Sequence, residues 1–147
     1  MITIVPLISS GVAGPLGVLH LPRLWQKASL EACGKLAAGY PGAGQGYDQM
    51  VIDGLGLKRD AVLAHIKNDK PTYPKFEAWV KSQPGVTLDK ASIDKLNASI
   101  VGYNHDDDTR KSILSANGLA DDASAPKDAI NLNNLDDWKE FYDAELK

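Results

Sequence analysis

After Leu21 the apolar residues of this chain recur at intervals of three and four, and glycine or proline interrupts the pattern after each short run. This spacing is typical of one face of a helix, whereas the alternation of a half-buried strand is confined to residues 2–5. The sequence therefore predicts an all-α fold, an irregular array of about seven short helices after an extended N-terminal segment. No predicted helix is long enough for a regular four-helix bundle.

Caps and turns set the expected helix limits. Pro22 suits the first turn of a helix that begins at Leu21, and glycines end that helix near Gly39. The other predicted helices run from Tyr47 to Leu55, from Arg59 to Asn68, from Thr72 or Tyr73 to Pro84, from Asp89 through Ile100, from Asp106 or Asp107 to Asn117, and from about Asn134 through Leu146. A length of 147 residues fits one domain, so we expect a single helical domain over 1–147, with 1–20 as an extended and loop-like N-terminal segment.

The charge of the chain is unevenly distributed. Residues 1–85 carry nine Lys and Arg against six Asp and Glu, whereas residues 86–147 carry seven against thirteen. Proteins that bind nucleic acid gather a dense basic face, and no basic cluster here is longer than Lys58-Arg59. The sequence therefore predicts no nucleic-acid partner, and the acidic C-terminal half is interpreted as a solvated face.

The first residues are apolar, but they do not have the pattern of a targeting segment. A secretory signal places basic residues before its apolar stretch, and here the first basic residue, Arg23, follows it. Pro6 and Pro15 would also break a helical segment. No run of 18 apolar residues is present. We therefore expect a cytoplasmic protein that does not associate with a membrane.

The start of the first predicted helix is the main candidate for a binding site. Arg23 and Lys27 lie four residues apart on one helix face, and His20 immediately precedes the first turn. Unpaired N–H groups at a helix start favour an anion, so these side chains and the preceding loop could bind a phosphate or a carboxylate. The alternative is that Arg23 and Lys27 are solvated and pair with acidic residues of the C-terminal half.

A second candidate is the glycine-rich segment YPGAGQGYD, which begins at Tyr40. Its glycine spacing lacks the full dinucleotide-binding fingerprint and no strand precedes it, so it is interpreted as a turn between helices. Tyr40, Tyr47 and Asp48 could still line a cleft at this loop.

The sequence gives weak support for a metal site or a nucleophile. The three histidines lack the spacing of a zinc site, and no calcium-binding motif is present. Asp106, Asp107 and Asp108 could bind a cation, but acidic residues at a helix start are the simpler interpretation. We therefore predict no metal and no cofactor. Cys33 is expected to be a small buried thiol, and Ser10, with its neighbour Ser9, could lie near His20.

Three tryptophans, Trp25, Trp79 and Trp138, fall on apolar helix stripes. Aromatic side chains at such positions are typical of a core, so all three are predicted to pack inside rather than to form a ligand cage.

Several short motifs resemble an uncharacterised bacterial family described as domain of unknown function 5069. They are the opening Gly17-Val18-Leu19-His20 with Leu21-Pro22-Arg23 and Lys27, the segment from the glycines to Tyr47-Asp48 and GLGL at 54–57, Glu77-Ala78-Trp79-Val80, Asn97, and the acidic helix around Trp138. The resemblance covers most of residues 14–146. It implies one cytoplasmic helical domain, and it implies no activity and no role for an individual residue.

Three functions follow from these observations. The leading hypothesis is a non-catalytic module that binds an anionic small molecule or a protein partner, with ligand contacts from His20, Arg23, Lys27, Tyr40 and Asp48. The alternative is an enzyme in which His20 is the acid or base and Arg23 or Lys27 holds an anionic substrate. The third is a structural or oligomeric protein. A deep pocket at His20 would favour a small ligand or an enzyme, and an exposed apolar patch would favour a protein partner.

Overall fold

The structure is a computed structural model that describes residues 2–147, and these residues form seven α-helices. The all-α prediction is confirmed, since the described residues contain isolated β-bridges but no strand. The helices are α1 (Leu21–Ala32), α2 (Tyr47–Leu55), α3 (Arg59–Asp69), α4 (Tyr73–Ser82), α5 (Lys90–Gly102), α6 (Asp107–Ala116) and α7 (Ala129–Glu145).

Capping side chains begin three of the helices. Asp89 accepts a hydrogen bond from the backbone N–H of Ser92 at the start of α5, and Asp106 accepts one from Thr109 at the start of α6. The predicted role of Asp106 as a helix-start acid is confirmed. Asp128 caps α7 in the same way, which places the start of that helix five residues before the expected Asn134.

The first helix is shorter than expected, because it ends at Ala32 rather than near Gly39. Gly34 takes a left-handed backbone conformation with φ of 68°, and the chain then turns into an extended stretch. Cys33 lies at the C-terminal end of α1 and is exposed, so the prediction of a buried thiol is wrong.

One hydrophobic core joins the first five helices and the start of α7. Helix α1 contacts α2, α3 and α4, α5 packs on α2 and α7, and α6 packs on α7. The largest fully buried apolar side chains include Leu21, Leu24, Ile52, Phe76 and Ile100. Trp25 and Trp79 pack against this core as predicted, but Trp138 is 58% exposed, so its predicted place in the core is wrong.

The N-terminal segment is extended and is held against the rest of the chain. Ile4 donates to the carbonyl oxygen of Lys35 at 2.7 Å and accepts from the N–H of Ala37 at 3.1 Å. Further along, Leu16 donates to the carboxylate of Glu77 at 3.3 Å, and the Asn97 side chain amide bridges Leu19 and Gly17. The loop before α1 is therefore pinned by side chains of α4 and α5.

None of the helices in residues 2–147 is both long and apolar enough to cross a bilayer.

Candidate functional site

Helix α1 begins at a residue with an unusual backbone. His20 has φ of 71°, in the left-handed region that costs free energy for a residue with a side chain. Its backbone N–H donates to the carbonyl oxygen of Val12, and its carbonyl accepts from Leu24. The conformation turns the imidazole into the interior, where the residue is 2% exposed.

The His20 ring links the N-terminal loop to α2. Its Nε2 lies 2.6 Å from Oδ1 of Asp48, and its Nδ1 lies 2.9 Å from Oγ of Ser10. An ionised carboxylate only accepts hydrogen bonds, so Nε2 carries the hydrogen and Nδ1 of the neutral ring accepts from the Ser10 hydroxyl. Burial lowers the pKa of His20 below its ordinary value, and the hydrogen bond to Asp48 only partly offsets this effect.

Three donors surround the Asp48 carboxylate. Besides His20, Nζ of Lys27 lies 2.6 Å from Oδ2, and the backbone N–H of Gly44 donates to the same oxygen at 2.7 Å. Burial opposes ionisation, but the His20 hydrogen bond and the charge of Lys27 hold the pKa of Asp48 well below its ordinary value. The glycine-rich loop therefore supplies a backbone donor to a carboxylate of its own chain.

Arg23 makes the second buried ion pair. Its guanidinium donates to both oxygens of Asp137 on α7, at 2.7 and 3.0 Å, and to the carbonyl oxygen of Ile8 at 2.9 Å. The Tyr40 hydroxyl donates to Asp137 at 3.0 Å. Burial and the negative charge of Asp137 raise the pKa of Tyr40, so its phenol stays protonated and donates. Burial also raises the pKa of Asp137, against the opposing hydrogen bonds from Arg23 and Tyr40.

The five side chains predicted to form a site are thus brought together. Together with Ser10 and Asp137 they form two hydrogen-bonded groups that both include side chains of α1. Ser10, His20, Lys27 and Asp48 make up one group, and Arg23, Tyr40 and Asp137 make up the other. We call the two groups together the α1 network. The predicted alternative of pairing with the C-terminal half holds for Arg23 alone, and neither cation is solvated. No spacing could have identified Asp137, because it lies 114 positions from Arg23.

The permanent charges of the α1 network balance one another. Its two permanent cations, Arg23 and Lys27, face two carboxylates, Asp48 and Asp137, and all four residues are at most 6% exposed. Five surface cavities of residues 2–147, with volumes from about 130 to about 420 Å³, are lined by other side chains. The buried charges are therefore paired within the chain, and a role of these residues in binding an anionic ligand stays a prediction.

Ser10, His20 and Asp48 are also the three residue types of a hydrolase triad. In the working triad the nucleophile bonds Nε2 and the acid bonds Nδ1, which is the reverse of the order found here. The Ser10 residue is fully buried, so no substrate reaches its hydroxyl in this conformation.

Near His105, the polar and charged side chains are paired with one another. His105 bonds Oδ1 of Asn133 at 2.7 Å, and Arg110 pairs with Asp107 and Asp121. Within residues 2–147, no group of three or more His, Cys, Asp or Glu side chains is arranged to hold a metal ion.

A contrasting surface lies where the N-terminal segment runs beside α7. Residues of both elements line a groove of about 260 Å³, with Phe141 and Glu145 on the helix side. Trp138 lies three positions before Phe141 and Tyr142 three before Glu145, so helix spacing alone places both exposed rings beside the residues that line the groove. We call this the α7 apolar surface, and its large exposed side chains are Ile2, Ile4, Leu7, Trp138, Tyr142 and Leu146. The sequence placed Trp138 on an apolar helix stripe, and that stripe was assigned to the core.

Comparison with known proteins gives no family and no relative: no family model matches the chain, and no curated protein matches it.

Proposed function

We propose that this chain is a non-catalytic protein-binding module whose binding surface is the α7 apolar surface. The observation that carries the proposal is the exposure of Trp138 and Tyr142, at 58% and 50%, on the helix whose Phe141 and Glu145 line the groove with the exposed N-terminal isoleucines. Apolar patches of this kind mark sites of association, and Trp and Tyr are enriched among the residues that dominate binding energy. The charge balance of the α1 network supports the same assignment. Its cations, Arg23 and Lys27, would be needed to hold an anionic substrate, but they are already paired with carboxylates.

The charges around the surface define the partner. Lys139 is paired with Asp143 at 2.7 Å, whereas Glu145 lines the groove and has no basic group within 4.0 Å among residues 2–147. Residues 138–147 carry three acids, Glu140, Asp143 and Glu145, against two lysines, Lys139 and Lys147. An apolar surface with an acidic rim favours an amphipathic helix that carries Lys or Arg beside its apolar face.

The same rim argues against a second copy of this chain as the partner. A symmetric contact buries the same surface of both copies, so it brings two copies of Glu145 into one interface without adding a basic partner. Such juxtaposition costs free energy on association, whereas a basic helix gains it.

We also propose a cytoplasmic location, as the family resemblance implies, and no nucleic-acid partner, which is supported by the lack of a basic cluster longer than two residues. The motifs around His20 and Trp79 support membership of the family described as domain of unknown function 5069.

A short helix-forming peptide of leucine and lysine tests the partner chemistry. Its fluorescence anisotropy should report binding to the native chain, and Trp138→Asp should weaken that binding at least about tenfold, or ~1.4 kcal/mol. Leu119→Asp is the matched control, because Leu119 is also a large exposed apolar residue but lies outside the surface. It should leave the affinity unchanged.

Three results would overturn the proposal. Equal losses in Trp138→Asp and Leu119→Asp would show unspecific adhesion of the peptide. Equal affinity for a leucine and glutamate peptide would contradict the basic partner. Concentration-dependent dimerisation that Trp138→Asp abolishes, measured by sedimentation, would assign the surface to a second copy.

A further inference from the structure

A second concave region lies between α2 and α5, away from the residues that form the α1 network and the α7 apolar surface. It has a volume of about 370 Å³, within the range of small-molecule pockets. Met50 and Gly54 of α2 form one wall, and Leu96 of α5 lies opposite.

The polar lining of this cavity is positive. Lys95 contributes the one charged side chain, and no carboxylate lies within 4.0 Å of its ammonium among residues 2–147. Its sequence neighbour Asp94 is paired instead with Lys90 at 2.7 Å. The other polar side chains are hydroxyls, from Thr87, Ser92 and Ser99, and the Ser99 hydroxyl already donates to the carbonyl oxygen of Lys95 at 3.1 Å. The ammonium and the hydroxyls of Thr87 and Ser92 can donate hydrogen bonds to an anion.

The close approach of α2 to Leu96 at the apolar wall depends on a glycine. Gly54 lies inside helix α2, where glycine costs about 1 kcal/mol relative to alanine. A Cβ at this position would lie 2.6 Å from Cδ1 of Leu96, so the glycine allows α2 to approach the Leu96 side chain closely. Met50, one turn earlier, adds a flexible apolar side chain that adapts to the shape of a ligand.

We propose that the cavity between α2 and α5 binds a small carboxylic acid with an apolar body. The carboxylate lies against the Lys95 ammonium and the hydroxyls of Thr87 and Ser92, and the apolar body lies on Met50 and Leu96. A single cation matches a singly charged head group, whereas a dianionic phosphate would leave one charge uncompensated. This site is independent of the α7 apolar surface, and each can fail without the other.

Titration of the isotope-labelled native chain with hexanoate tests the site. Shifts of amide and methyl signals should concentrate at Met50, Leu96 and Ser99, and hexylammonium at the same concentration should produce none there. Lys95→Gln should weaken hexanoate binding about threefold to fivefold, the range expected for an exposed charge pair. N-acetyl-leucine has the same carboxylate, and tighter binding of it than of hexanoate would identify a peptide C-terminus as the source of the carboxylate.

Lys90→Gln is the matched control, since it removes the same charge from the same helix at an exposed side chain outside the cavity. It should leave the hexanoate affinity unchanged. Equal weakening by Lys90→Gln and Lys95→Gln would reduce the effect to general electrostatics and overturn the proposal. Shifts spread over the surface, or equal binding of hexylammonium, would overturn it as well.

Discussion

Arg23 and Asp137 are separated by 114 positions in the sequence and are joined by two hydrogen bonds of 2.7 and 3.0 Å. The pair connects the first helix to the last, and through the carbonyl oxygen of Ile8 it also holds the N-terminal segment. Both residues are at most 5% exposed. A buried pair with bidentate geometry is costly to break, because either partner left alone is an uncompensated buried charge.

Arg23→Ala should therefore lower the free energy of unfolding by about 3–5 kcal/mol, as measured by urea denaturation. Lys35→Ala removes the same class of charge from an exposed side chain and should have no measurable effect on unfolding. The double variant Arg23→Ala with Asp137→Ala should lose less than the sum of the two single variants. Additive losses would mean that the two side chains do not interact.

The stability of the fold should also depend on the protonation of His20. Because burial lowers its pKa, the unfolded chain binds a proton at a higher pH than the folded chain does. The contribution of neutral His20 to the free energy of unfolding is therefore complete above its ordinary pKa of 6.5. It is lost as the pH falls from there toward the lowered pKa of the folded state. The slope is at most about 1.4 kcal/mol per pH unit for this one proton.

A comparison with His20→Asn isolates this effect, since asparagine tolerates the left-handed backbone at this position. Asp136 and Asp137 have raised pKa values, so their protonation at acid pH adds to the free energy of unfolding, whereas protonation of His20 lowers it. Both aspartates are present in the wild type and in the variant. The stability gap between wild type and variant should be wider at about pH 7.5 than at about pH 5.5. A gap that is constant with pH would contradict a proton-linked role for His20.

The local features of this chain could be read from the sequence, and the distant ones could not. The limits of α2 and the caps Asp89 and Asp106 follow from nearest neighbours, so they were predicted. The grouping of His20, Arg23 and Lys27 follows from helix spacing. Their carboxylate partners come from other elements, and no local pattern indicates which acid, such as Asp137, meets which cation.

Trp138 shows a second limit of sequence reasoning. An apolar helix stripe is the same whether it faces a core or a partner, so the spacing alone assigned Trp138 to the interior, whereas the side chain is exposed. The start of α7 was also placed too late, because three asparagines among residues 131–134 interrupt the apolar pattern that follows the Asp128 cap.

Trp79 and Trp138 should respond differently to substitution. Trp79 stacks on the His65 ring at 4.5 Å and packs against the core, so Trp79→Ala should lower the free energy of unfolding by about 2–3 kcal/mol. Trp138→Ala removes an exposed ring and should leave the thermal unfolding midpoint unchanged. The reverse order of effects in thermal unfolding would contradict the fold described for α4 and α7.

Gly14 should be intolerant of a side chain. A Cβ there would lie 2.5 Å from the carboxylate of Glu77 and from the Tyr73 ring, and these two side chains are themselves joined at 2.7 Å. Gly14→Ala should cost about 1–3 kcal/mol as the pinned loop shifts. Gly102→Ala is the control, because no atom lies within 4 Å of that Cβ and alanine favours a helix, so stability should rise slightly. Equal effects of both substitutions would contradict the packing of the loop on α4.

The binding role of the α7 apolar surface is tested most directly by mapping the leucine and lysine peptide on the isotope-labelled native chain. The amide signals that shift or broaden should be those of residues 2–7 and 138–146, and the signals of α3 and α4 should remain in place. Addition of hexanoate should not displace the peptide, since the two ligands are assigned to separate surfaces. A footprint on any other part of the chain, with the signals of Trp138 and Tyr142 unchanged, would contradict the proposed function.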